Sequence, residues 1–302
     1  MNNKRRLFST LLCVAALTAG LFVSGCGSDK AGGIGSVVSS VVDGGSDEKA
    51  AAKLNTLIDA TNRFNGDNAT WGQNYADSLA KLKGGFQEGA IGRQPHYDTL
   101  KDALEKSKKE GSTFKEVDTE RDNVLNILNE LVPTFKDLKA YDDSKAYMND
   151  GGAKGKELAA KYVAQVEKFD AAYAKFNDAL NKANTEQTKK QIEKLKKDGK
   201  KGYAAAMEST LRLTTLPENV EKAPKNADKQ AVEKELNEIQ TLLKSINNDR
   251  GEVLVNSYNS VVGSVRQVLN DANENNLNDM IENFNNYIES YNNTTPDQFD
   301  SK

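Results

Sequence analysis

The chain has 302 residues, 28% charged and 37% hydrophobic, and its 41 Lys+Arg nearly balance 44 Asp+Glu for a net charge of −3. A mean hydropathy of −0.67 excludes a multi-span membrane protein, and the hydrophobic content and small net charge exclude wholesale disorder. The acidic balance argues against a nucleic-acid partner, and the length allows one large domain or two modest ones.

Residues 1–25 read as a targeting segment. Lys4, Arg5 and Arg6 form a basic start, Leu7 to Val23 a mostly apolar stretch, and Ser24 and Gly25 a pair of small residues before Cys26. That order is the signature of a secretory signal. The run Val23-Ser24-Gly25-Cys26 resembles the lipobox of bacterial lipoproteins. The resemblance implies cleavage before Cys26, diacylation of its sulfur and acylation of its amine, with palmitate among the acyl groups. The covalent lipid at Cys26 is then the only non-protein group expected, with no separate cofactor. Each buried methylene contributes about 0.8 kcal/mol, so several acyl chains moor a protein to a membrane without spanning it. Cys13 leaves with the signal, so the mature chain holds no disulfide and no free thiol. Gly27 and Ser28 lack the Asp that retains enterobacterial lipoproteins in the inner membrane, which implies the periplasmic face of the outer membrane. Residues 26–46 read as a flexible linker, rich in Gly and Ser, with the Val37-Val38 and Val41-Val42 pairs unusual in such a segment.

Residues 47–302 read as one all-α domain, an elongated antiparallel helical bundle. Apolar residues recur at spacings of three and four. They run Leu54, Leu57/Ile58, Thr61, Phe64, with Ser46 or Asp47 as cap; then Val124, Leu128, Leu131/Val132, Phe135, Leu138. The clearest stripe is Leu158, Tyr162, Val166, Phe169, Tyr173, Phe176, Leu180. Three more follow, from Val232 to Ile246, from Leu254 to Leu269 and from Leu277 to Tyr291. No run alternates with period two, so no sheet is expected. Breaks are predicted at Gly66-Asp67-Asn68, Gly84 to Pro95, Gly111-Ser112, Asp150-Gly151-Gly152, Leu216-Pro217 to Asn226 and Asn248 to Gly251. Pro133 should kink its helix. No Pro lies between Ala153 and Asp198, which predicts one very long helix of about 70 Å at 1.5 Å per residue. Glu186 to Gly202 carries seven Lys against three acidic residues, and Ser245 to Ser301 nine acidic residues against Arg250 and Arg266. The Lys-rich segment reads as a solvated face.

Two stretches carry a family likeness. Phe135 to Asp150, including Tyr141, Asp142 and Tyr147, continues into Lys154-Gly155-Lys156-Glu157-Leu158; Lys53 to Asp59 and Asn62 form the other. Together they resemble the YiiG-type family of bacterial lipoproteins, a domain of unknown function. The resemblance implies a helical, lipid-anchored envelope protein and marks a turn built from Tyr141, Asp142, Tyr147, Asp150, Lys154 and Gly155. It supplies no catalytic residues. Asn residues seven apart, Asn55/Asn62 and Asn278/Asn285/Asn292, lie on one helix face beside an apolar seam, where they are candidates to fix helix register.

Catalytic chemistry is sparse. With no free Cys and His96 as the one histidine, most nucleophile–base sets cannot be built, and no His/Cys cluster suggests zinc or iron. Asp271, Asn273, Asn275, Asp279 and Glu282 fit the spacing of a calcium loop, although they also fall within the last helical stripe. The reading is a non-enzymatic interaction or structural module, anchored by lipid, with an envelope protein or the cell wall as partner. The alternative is a periplasmic solute- or metal-ion-binding module with a pocket between helices, lined by Tyr141, Tyr147, Tyr162 and Tyr173.

Overall fold

The computed structural model describes residues 46–92, 94–111, 114–222 and 229–301. The signal segment, the lipobox, Cys26 and nearly all of the linker lie outside them. Every regular element among the described residues is a helix: α1 (Ser46–Lys83), α2 (Tyr97–Lys109), α3 (Lys115–Asp143), α4 (Tyr147–Asp150), α5 (Ala153–Lys197), α6 (Lys201–Lys222), α7 (Lys229–Lys244), α8 (Asp249–Asn270), α9 (Glu274–Asn292) and α10 (Pro296–Phe299). None of these is long and apolar enough to cross a membrane.

The very long helix forms as its sequence requires: α5 has 45 residues. One expected break does not occur, and another falls later than Pro217. α1 runs for 38 residues through Gly66, and α6 continues past Pro217 to Lys222. A helix-interior Gly costs about 1 kcal/mol and a Pro about 3. Buried apolar residues on both sides outweigh those costs: Leu57, Ile58 and Phe64 before Gly66 with Leu82 after it, and Leu213, Leu216 and Val220 around Pro217. α3 likewise continues through Pro133, with Leu131, Val132 and Leu138 buried on either side.

Contacts divide the described residues into two compact units, residues 52–183 and residues 184–301, the latter joined by residues 46–51. In the 52–183 unit, Lys53 at the start of α1 donates to the carbonyls of Glu110 and Gly111 after α2, which sets those two helices antiparallel. Tyr173 of α5 donates to Asn65 of α1 at 3.0 Å, and Phe135 of α3 lies 5.6 Å from Tyr162 of α5. The buried stripe of α5 steps through Ala159, Tyr162, Val166, Phe169, Tyr173, Phe176, Leu180 and Ala183. This is the three-four alternation of knobs-into-holes packing.

Charge reinforces the antiparallel pairing of α3 with α5. Lys154, Lys161, Lys168, Lys175 and Lys182 recur at every seventh residue of α5, all exposed. Glu116, Asn123, Glu130 and Asp137 recur at every seventh residue of α3. Lys182 of the first row closes on Glu116 of the second at 3.1 Å.

In the 184–301 unit the last turns of α5 bury Asn184, Thr188, Ile192 and Leu195. α6 to α9 form an antiparallel array. Arg212 of α6 forks onto Glu235 of α7 at 2.7 and 2.8 Å. Arg266 of α8 forks onto Glu233 of α7 at 2.9 and 2.8 Å. Tyr258 donates to the Leu236 carbonyl at 2.8 Å, and the Tyr287 and Thr210 hydroxyls meet at 3.2 Å. Phe299 of α10 is buried against Tyr203 and Tyr291.

Candidate functional site

The stretch from Tyr141 to Gly155 folds into the connection between α3 and α5. Ala146 N donates to Tyr141 O at 3.1 Å and Lys145 N to Asp142 O at 2.9 Å, the paired bonds of a Schellman cap. Its left-handed position, usually Gly, is held by Lys145 with φ of 53°, the one described non-glycine residue with positive φ. α5 ends with the same pair of bonds, from Lys200 N to Leu195 O and from Gly199 N to Lys196 O, and there the position is Gly199.

Asp150 joins the two helices. Its carboxylate accepts from the backbone amides of Gly152 at 2.9 Å and Lys154 at 3.1 Å, capping α5, and from the Tyr141 hydroxyl. That hydroxyl, with the two amides, holds the Asp150 carboxyl below its ordinary range. Gly155 lets the turn close, because a Cβ there would lie 2.6 Å from both Phe86 Cγ and Tyr141 Cε1. The Phe86 ring sits 5.2 Å from Tyr141 and 5.8 Å from Tyr147. Glu88, with burial adding to it, pushes the Tyr147 hydroxyl up to about 12. Asp142 is half-buried, Lys154 is exposed and Met148 beside Tyr147 is 70% exposed. The motif residues thus build a turn: Lys154 contributes its backbone amide, and Gly155 its lack of a side chain.

The four tyrosines expected to line one pocket occupy three separate settings. Tyr141 and Tyr147 belong to the turn. Tyr162, fully buried, donates to Gln94 beside the Tyr75 and Tyr97 hydroxyls, which meet at 2.8 Å. Burial pushes Tyr75 up to about 12 and holds Tyr97 and Tyr162 well above the ordinary tyrosine value. Tyr173 stacks on Phe169 at 5.2 Å and touches Phe64 edge-on. These rings fill the bundle core. Tyr75, Tyr97 and Gln94 were not legible as partners, because three different segments bring them together.

A polar seam lies beside that core. Tyr173 occupies Asn65 Oδ1, which leaves Asn65 Nδ2 buried without a partner, as are Asn62 Oδ1 and Asn177 Oδ1. Asn62 precedes Asn65 by one turn of α1, and Asn177 follows Tyr173 by one turn of α5. Asn62 therefore sits at a helix seam, as its spacing suggests. Asn278 and Asn285 do not: both are exposed on α9, so the register role expected of that repeat is overturned there.

The calcium spacing is not a loop. Asn273 caps α9, accepting from Asn276 N at 2.9 Å, and its own amide donates to Asp271 at 2.7 Å. The chain is helical from Glu274, so Asn275, Asp279 and Glu282 project from the exposed side of a helix. Among the described residues no three His, Cys, Asp or Glu side chains converge as a metal site. His96 stands at the N-cap of α2 without a side-chain capping bond.

The sequence model of a family described as a protein of unknown function (DUF3829) matches residues 48–279. The chain belongs to that family. No curated protein and no solved structure matches it. The DUF3829 match takes in the Tyr141–Gly155 turn and the polar seam, and it ends within α9. The α10 segment therefore lies beyond it. Thr295 followed by Pro296 and Gln298 is a capping pattern that marks that short helix in the sequence, but not where it docks.

Proposed function

We propose that this DUF3829 protein is a lipid-anchored component of the bacterial cell envelope, a non-enzymatic interaction or structural module on the periplasmic face of the outer membrane. The observation that carries the reading is Ser24-Gly25-Cys26 placed after a basic start and an apolar stretch. Its partner is an envelope protein or the cell wall. The YiiG-type likeness in Lys53–Asp59 and Tyr141–Leu158 supports the same compartment. A helical bundle whose motif residues cap and close a turn is suited to presenting a surface. Labelling cells with a clickable palmitate analogue tests the anchor. Wild-type chain should take up label and sediment with outer membranes, and Cys26→Ala should do neither. A wild-type chain that carries no acyl mass on Cys26 refutes the reading.

A second reading, a periplasmic module that binds a small polar solute, draws on the unpartnered amides of Asn62, Asn65 and Asn177. A solute held there should raise the melting temperature of the wild type and not that of Asn177→Leu. A solute library without any such shift removes this reading.

A further inference from the structure

Residues 297–301 are held by contacts from the start of α6, the cap of α8 and the last turn of α9. Asp300 lies across the first turn of α6, accepting from Gly202 N at 2.6 Å and more loosely from Tyr203 N at 3.4 Å. A carboxylate there meets unsatisfied amides and the positive end of a 22-residue helix. Phe299, 2% exposed, packs against the Tyr203 and Tyr291 rings at 5.8 and 5.9 Å. Lys200 reaches Asp297 at 3.6 Å. The Asn248 amide nitrogen donates to the carbonyls of Gln298, Phe299 and Ser301 at 3.0–3.1 Å. Gly202 is needed for the approach: a Cβ there would stand 2.0 Å from the Phe299 carbonyl oxygen. Together these contacts form a groove around a buried Phe, the acidic residue after it and three backbone carbonyls, with Lys200 beside the exposed Asp297 at its rim. That division, pockets for a few side chains and hydrogen bonds to the main chain, is how peptide grooves combine affinity with selectivity.

We propose that this groove also takes the same segment in trans, from a second copy of the chain, so that residues 296–301 act as a connector between molecules as well as a lock on their own bundle. The receptor atoms belong to Lys200, Gly202, Tyr203, Asn248 and Tyr291, and the ligand atoms to the short segment 296–301. Identical chemistry is available from a neighbouring tail whenever the cis contact opens. The cis tail competes at high effective concentration, so exchange appears at high local density. The proposal rests on the 184–301 unit alone and does not depend on the lipid anchor.

The test pairs two full-chain variants in detergent or with Cys26 replaced by Ser. Phe299→Ala has an open groove and a defective tail; Gly202→Ala has an intact tail and a filled groove. Each alone should stay monomeric by native mass spectrometry, and their mixture should form a one-to-one dimer with a single sound junction. As an independent measurement, a peptide spanning residues 294–302 should restore much of the melting temperature lost in Phe299→Ala, saturably, while the same peptide with Phe299→Ala should not. If Gly202→Ala does not fold, the peptide measurement decides alone. Folded variants that never pair, or a destabilised Phe299→Ala that no peptide rescues, would overturn the proposal. So would a Phe299→Ala chain as stable as the wild type.

Discussion

Asn248 gives the sharpest test of how the 184–301 unit is held together, because its two ends do different work. Its Oδ1 accepts from the amides of Arg250 and Gly251, both at 3.1 Å, and caps α8. Backbone N–H groups on one side and carbonyls on the other fix which way the amide points. Loss of such a cap costs roughly 0.5–2 kcal/mol. The amide nitrogen carries two protons for three tail carbonyls, so it supplies at most two bonds' worth, roughly 0.5–1.5 kcal/mol each. Asn248→Ser keeps a capping oxygen and loses the tail, and should destabilise by about 1–3 kcal/mol. Asn248→Ala loses both and should fall below Ser by about 1 kcal/mol. Asn248→Asp keeps an excellent cap but faces carbonyl oxygens with a carboxylate, so it should do no better than Ser. Urea unfolding followed by circular dichroism gives the ordering. Hydrogen exchange of the 296–301 amides, read by mass spectrometry, shows whether the tail is released. If Asn248→Ser matches the wild type in both, the tail contacts contribute nothing and the reasoning fails.

Three further outcomes follow from the geometry. Gly155→Ala should destabilise by about 1–3 kcal/mol through overpacking against Phe86 and Tyr141, whereas Gly263→Ala, with nothing within 4 Å of the added Cβ, should stabilise by up to about 1 kcal/mol; thermal melts that do not separate the two in sign refute the packing argument. Burial raises the folded-state pKa of Tyr75 and Tyr203 to about 12, above an unfolded value near 10. Their contribution is therefore intact below pH 10 and is lost as pH rises toward 12, by up to about 1.4 kcal/mol per pH unit for each. Tyrosinate absorbance should rise together with unfolding, and ionisation of all tyrosines near pH 10 in a folded chain would contradict it. Lys182→Glu and Glu116→Lys should each weaken the α3–α5 contact and the double reversal should recover it, with a coupling of roughly 0.2–1 kcal/mol because both groups are exposed; additive losses would show that the register of charges plays no part.

The sequence by itself determined that this chain is helical, and where most helices lie, because apolar spacing of three and four is a local property that survives any tertiary arrangement. The α5 helix was readable from the steps between Leu158 and Leu180. The turn at Asp150-Gly151-Gly152 was readable too, since Gly and Asp impose their geometry within a few residues. The tertiary structure decided the rest. Gly66 and Pro217 were outvoted by buried residues on either side of them, a sum no local window contains. Asn273 became a helix cap because its amide found Asn276 N in a chain already turning helical, so the spacing of a calcium loop had no loop to occupy. Tyr162 found Gln94, and Phe299 found Tyr203, across sequence separations where propensity carries no information. A side chain's chemistry is written in the sequence, but its partner is set by the fold, because only chain closure brings remote groups within the few ångströms over which hydrogen bonds and packing act.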